Sequence, residues 1–184
     1  MKQTICRFIY QKVLGWKAEV NVPDFDKCII CAAPHTTNWD LFIGKLFISS
    51  IGRESGFMMK KEWFFFPLGL FFKAVGGIPV DRSRKTSLVD QMVKHFNECK
   101  KFHLAITPEG TRKANPNWKK GFYYIALKAQ VPIVLIGIDY SKKMISATKA
   151  IMPSGDIDKD MREIKLYFKD FQGKHPENFA LGEI

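Results

Sequence analysis

"KCIICAAPHTTNWDLFIGKLFISSI", residues 27–51, is the stretch that decides the fold. Its first seven residues form a short apolar run of the kind buried on both faces of a sheet, whereas residues 41–51 form a longer apolar run that suits a packed helix. A polar turn carrying a proline, two threonines and an asparagine separates them, so the order is strand, turn, helix.

The same alternation continues along the chain. "GFMM" (56–59) and "VGGIPV" (75–80) read as extended segments. Residues 87–99 read as a helix, with Ser87 and Asp90 supplying its N-terminal cap and Leu88, Met92, Phe96 and Cys99 on one face. "FHLAIT" (102–107) is a strand, "GFYYIALKAQ" (121–130) a helix and "VPIVLIGI" (131–138) an interior strand; residues 144–151 add a further strand and 157–172 a closing helix. Strands alternating with helices predict an α/β fold, a single-domain sandwich with a largely parallel central sheet flanked by helices.

At 184 residues one domain, 23–184, holds the core, preceded by an N-terminal helical segment, 1–22. Ile5, Ile9, Val13 and Trp16 lie on one side of that segment, with basic residues beside them, so it packs either on the domain or on a membrane surface. Cys28 and Cys31 form a C-x-x-C inside a strand, where residues three apart face opposite ways; with no second cysteine pair, buried thiols are expected rather than a metal site. No secretory signal precedes the four cysteines, which read as reduced, cytoplasmic thiols.

Twenty-nine Lys and Arg against 18 Asp and Glu leave a formal charge of +11, a field that favours anionic partners. No recognised nucleic-acid motif accompanies it, and nucleic acid is not expected as a partner. "WFFFPLGLFF" (63–72), flanked by Lys60, Lys61 and Lys73, is too short to cross a bilayer, which takes about 20 residues. It reads as a mixture of buried rings and rings that form an apolar groove or face a membrane.

The distinctive polar clusters directly follow the apolar strands: His35 after 27–33, Lys60-Lys61-Glu62 after 56–59, Asp81-Arg82 after 75–80, and Glu109-Gly110-Thr111-Arg112 after 102–107. In an open parallel sheet these strand ends share one edge, where ligand clefts form. His35 sits in the turn before the helix and Asp40 in its first turn, close enough to accept from the imidazole and leave the other ring nitrogen as a base. No G-x-S-x-G or other protein nucleophile accompanies the pair, so the base acts on a hydroxyl of the substrate. In "TPEGTRKANPNWKKGF" (107–122), Gly110 permits a sharp turn, and Thr111, Arg112, Lys119 and Lys120 offer donors and charge for a phosphate. Glu109 either orients Arg112 or contacts a substrate hydroxyl.

"PHTTNWD" resembles the H-x4-D block of the glycerolipid acyltransferases, a family that includes lysophosphatidic acid acyltransferases. "GGIPVDR" (76–82), "PEGTR" (108–112) and "VPIVLIGI" (131–138) resemble its second, third and fourth blocks, in order, and "WKKG" (118–121) is similar to its usual Phe-Lys-Lys-Gly. The resemblance implies His35 as general base, Asp40 as its orienting partner, Arg82 with Glu109, Gly110, Thr111 and Arg112 as acceptor-binding residues, and Pro132 as a pocket wall.

It further implies O-acyl transfer from acyl-CoA or acyl-carrier protein, as cosubstrate and not as a permanently bound cofactor. The acceptor is a lysophospholipid such as 1-acylglycerol 3-phosphate, glycerol 3-phosphate or a lyso-aminolipid. Backbone N–H groups near the first helix's N-terminus are the candidates to hold the oxyanion. A peripheral location on the cytoplasmic, inner face of a membrane follows. Two positions depart from the pattern: Pro34 replaces the usual Asn before the histidine, and Pro79 stands where the second block commonly has Phe.

Overall fold

In the computed structural model, residues 2–81 and 87–183 are described, and they form one seven-stranded sheet in the order β1-β7-β6-β2-β5-β3-β4. The strands are β1 Lys17–Val20, β2 Lys27–Ala33, β3 Gly56–Lys60, β4 Gly77–Val80, β5 Phe102–Ile106, β6 Ile133–Asp139 and β7 Met144–Ile151. The helices are α1 Lys2–Phe8, α2 Trp39–Ser50, α3 Leu68–Ala74, α4 Leu88–Glu98, α5 Gly121–Ala129 and α6 Ile157–Phe168. Every neighbouring pair is parallel except β6 with β7. Those two are joined by a tight turn at 140–143, too short for the crossover that parallel pairing needs.

Side chains alternate across β2 as a doubly buried strand requires. Cys28 and Ile30 point to the layer of α2, with Ile43, Phe47 and Ile48; Ile29, Cys31 and Ala33 point to the opposite layer, with Phe96 of α4, Phe122 of α5 and Phe168 of α6. The two cysteines therefore lie on opposite faces, and burial pushes the thiols of both upward, Cys28 to about 12. α4 begins at Ser87, whose hydroxyl accepts from the Asp90 N–H at 3.1 Å.

The N-terminal segment differs from the expectation of a helical stretch over 1–22. α1 continues into one π-helical stretch, Ile9–Val13, and the chain then extends as β1 beside β7. Three of the four β1 residues are exposed, so the strand has no apolar alternation to announce it; it pairs along the open edge of β7. α1 packs on α2, where the Arg7 Nε donates to the Ser50 carbonyl at 3.3 Å and places a cation at that helix's C-terminus.

Pro79 lies in β4, the opposite edge of the sheet, the place where a strand best tolerates a missing N–H. α3 has seven residues and contacts that same edge strand, so one side of it packs. None of the rings in 63–72 is fully buried: Phe64 and Phe72 are half-buried, while Trp63, Phe65, Phe66 and Phe71 are exposed, Phe66 at 84%. Among the described residues no helix is long and apolar enough to cross a membrane.

Candidate active site

β2 lies between β5 and β6, so the turn that follows it emerges between the ends of two parallel neighbours. That turn, 34–38, carries His35. Asn38 is the N-cap residue of α2 but makes no side-chain cap. The Asp40 carboxylate acts instead: its Oδ2 accepts from the Thr36 N–H at 2.8 Å and the Thr37 N–H at 2.9 Å, and lies 3.1 Å from His35 Nδ1. A carboxylate oxygen can only accept, so Nδ1 donates and Nε2 is the nitrogen left with a lone pair. The Asp40 side chain is 2% exposed and that of His35 21%, so the carboxylate is sealed while the imidazole keeps access to a substrate.

Glu109 sits on the other side of the turn. Its Oε1 accepts from the His35 N–H at 2.8 Å, and its Oε2 is buried with no hydrogen-bond partner among the described residues. The residue is 2% exposed, and desolvation pushes its carboxyl up to about 7 despite the His35 N–H that favours the charged form. Arg112 is not among the partners of Glu109, whose carboxylate instead anchors the backbone of the histidine turn. Arg112 reaches across to Asn38, its Nη1 donating to the Asn38 Oδ1. Two strand ends are thereby tied together above the sheet.

A cavity of about 620 Å³ opens beside this pair, and His35, Asn38, Asp40, Gly110 and Lys119 all line it. Its remaining wall is mostly apolar, with Ile30, Ala32 and Ile136 from the sheet, Leu41 and Ile48 from α2, and Phe122 from α5. Lys45 of α2 also lines it; its Nζ donates to the Ser55 carbonyl at 2.6 Å, and burial, then the nearby Lys2, depress its basicity.

Gly110 adopts φ +67, the turn expected of it, and Thr111 and Arg112 are exposed just beyond. Lys120 points elsewhere: it pairs with Asp158 at 3.3 Å and lines a separate groove beside α6. Arg82 lies outside the described residues. The Thr36 and Thr37 N–H groups, expected among the candidates to hold an oxyanion, are engaged by Asp40.

Several residues here have no place in the four sequence blocks. Tyr140, just past β6, donates its hydroxyl to Asp40 Oδ1 at 2.7 Å. The buried Thr36 accepts at its hydroxyl from the His175 N–H at 3.2 Å, and Gly173 packs against Thr36 and Pro34. The signal for Tyr140 was present, since Asp139-Tyr140 follows an apolar strand just as His35 and Glu109 do.

A largely parallel sheet whose strand ends gather an imidazole–carboxylate pair, cationic side chains and a mostly apolar cavity defines an α/β protein of the open-sheet class with a candidate site at the strand ends. The family model of the acyltransferases matches residues 17–139, and the chain belongs to that family. Over 138 residues it is 27% identical to a 1-acyl-sn-glycerol-3-phosphate acyltransferase of Saccharomyces cerevisiae, covering 70% of this chain and 44% of that protein. Over 104 residues it is 31% identical to the Homo sapiens 1-acyl-sn-glycerol-3-phosphate acyltransferase beta, covering 53% and 37%. The chain thus spans less than half the length of these relatives. The crystal structure of the 1-acyl-sn-glycerophosphate (LPA) acyltransferase PlsC from Thermotoga maritima has the same fold, with a TM-score of 0.57 and 17% identity over 88% of this chain and 76% of that one.

Proposed function

We propose that the protein is an O-acyltransferase that moves a fatty acyl group from acyl-CoA or acyl-carrier protein to the hydroxyl of a lysophospholipid such as 1-acylglycerol 3-phosphate. The observation that carries this reading is the His35–Asp40 pair, 3.1 Å apart, on the wall of a largely apolar cavity. His35 Nε2 takes the proton of the acceptor hydroxyl as its oxygen attacks the thioester carbonyl. The tetrahedral oxyanion then collapses, the C–S bond breaks, and the departing thiolate recovers the proton from the imidazolium. Asp40 holds the ring and stabilises its charged form. The apolar cavity takes the acyl chain, while Arg112 and Lys119 meet the phosphate of the acceptor, for which a planar guanidinium is well shaped.

Both the acceptor and the product are bilayer lipids, and the molecule presents a matching surface. Trp63, Phe65, Phe66, Leu70 and Phe71 are exposed beside Lys60, Lys61 and Lys73. Aromatic rings bordered by cations suit an interface with anionic headgroups, and this supports the reading of a peripheral enzyme on the inner face of a membrane. The test is acyl transfer itself. Purified protein is incubated with acyl-CoA or acyl-carrier-protein donors and a panel of lysolipids and glycerol 3-phosphate, and products are identified by mass. Wild type is expected to form a diacyl product and folded His35→Ala none. Turnover by His35→Ala would end the mechanism, and lipid binding without turnover by wild type would point to a catalytically silent binding protein.

A further inference from the structure

Asp40 is held from two sides. Among the described residues its Oδ2 collects three donors, from His35, Thr36 and Thr37, whereas its Oδ1 has one, the hydroxyl of Tyr140 at 2.7 Å. A carboxylate turned about its Cβ–Cγ bond exchanges or tilts its oxygens, and the tilt that faces His35 is kept only if both oxygens have donors where they point. Tyr140 is itself fixed. Its ring packs edge-on against the buried Trp16, with centroids 5.0 Å apart, and its N–H donates to the Gln172 carbonyl at 2.8 Å. Burial and then the Asp40 carboxylate push its phenol well above the ordinary tyrosine range, so it is a committed donor. Four separate parts of the chain, before β1, at the start of α2, after β6 and after α6, therefore meet around the Tyr140–Asp40 hydrogen bond. Tyr140 also falls just outside both the fourth sequence block and the matched segment 17–139.

We propose that Tyr140 is a positioning residue of the reaction, acting through Asp40: its hydroxyl sets the carboxylate so that Oδ2 faces His35. The inference rests on the acyl-transfer reading above. Removing the hydroxyl has two effects. The carboxylate loses its angular constraint, and the charge that Tyr140 had drawn toward Oδ1 is concentrated on the oxygen that faces the imidazole. The second effect favours imidazolium, so the free-base form of His35 appears only at higher pH.

The experiment compares wild type, Tyr140→Phe, Asp40→Asn, the double variant and His35→Ala in the acyl-transfer assay with acyl-CoA and 1-acylglycerol 3-phosphate, with thermal melts for each. Tyr140→Phe is expected to lower kcat about 10- to 100-fold, the scale of one hydrogen bond to a charged group. KM should change less than about twofold, and the acid limb of kcat/KM against pH should move upward. In the Asp40→Asn background the same substitution should cost nothing further. Because a purely structural defect would depress both backgrounds alike, equal losses in the two would overturn the proposal, as would an unchanged kcat and acid limb.

If Tyr140→Phe melts well below wild type, 3-fluorotyrosine at position 140, a slightly stronger donor of nearly the same size, replaces it. It should move the acid limb downward, and an unmoved limb would again overturn the proposal. An inactive wild type would remove the acyl-transfer reading together with this one. An active wild type with a silent His35→Ala and an indifferent Tyr140→Phe would remove this inference alone.

Discussion

Replacing Glu109 with Gln tests the electrostatics of the histidine turn. The carboxyl is 2% exposed, one of its oxygens has no partner among the described residues, and burial raises its titration from 4.5 to about 7. A group raised in the folded state holds its proton after the unfolded chain has released it. Its stabilising contribution is therefore complete below about pH 4.5, declines as pH rises toward 7, and is lost above that. At about 1.36 kcal/mol per pH unit, the displacement is worth about 3 kcal/mol. Gln has nearly the same shape, keeps an oxygen for the His35 N–H and does not titrate. The stability of Glu109→Gln relative to wild type should thus rise by about 3 kcal/mol between pH 4.5 and 7 and be level on either side. Urea unfolding followed by circular dichroism, at constant ionic strength from pH 4 to 8, measures that difference directly. A difference between the two proteins that stays constant across this range would refute the reasoning, because it would mean that Glu109 titrates in the folded protein as it does in the unfolded chain.

Three further outcomes follow from the same geometry. Arg112→Lys loses the planar guanidinium that bridges to Asn38 and suits a phosphate, so KM for a phosphate-bearing acceptor should rise about tenfold while kcat is largely kept, read from initial rates. In Gly173→Ala the new methyl would lie 2.7 Å from Thr36 Cγ2 and 3.2 Å from Pro34 Cβ, so stability should fall by about 1–3 kcal/mol in urea, with a loss of activity in the folded fraction. Phe65→Ser with Phe66→Ser, both exposed, should leave the melting temperature unchanged and reduce flotation with anionic liposomes; undiminished flotation would exclude this surface as the membrane contact.

The layer architecture was legible because α/β sheets write their strands as short apolar runs, and 27–33, 102–107 and 131–138 each coincide with a strand to within two residues. β1 was not legible. Lys17–Val20 is mostly exposed, and its pairing depends on a neighbour 127 positions away, Lys17 with Met144. The His35–Asp40 contact could be read from spacing alone, since both ends belong to one turn and the helix it starts. Glu109 could be placed on the right edge of the sheet, but its contact with the histidine turn could not be read. Its cationic sequence neighbours suggested a partner in Arg112, whereas the register of β5 against β2 brings it to the histidine backbone. Local sequence reports which strand a residue leaves, and only the strand order reports what it meets.

That dependence on strand order explains why the site is assembled around a loop rather than within a motif. The 34–38 turn must leave the sheet, reverse and start α2 while holding Thr36 almost out of water, and so its polar groups need partners that the turn itself cannot supply. Asp40 provides for Thr36 and Thr37 from inside the motif. The rest comes from parallel neighbours and from the chain after α6: Glu109 at the end of β5, Tyr140 at the end of β6, and His175 and Gly173 from the C-terminal segment. That segment also holds the third block's loop, because the Trp118 Nε1 donates to the Ala180 carbonyl at 2.9 Å and its ring packs against Phe179. One stretch of chain, beyond the segment that matches the family, therefore fixes the two loops of the candidate site relative to each other. An imidazole whose orientation depends on contacts from so many directions can be disturbed from any of them, and substitutions far from the cavity along 172–180 should be read for their effect on His35 before they are read as losses of stability.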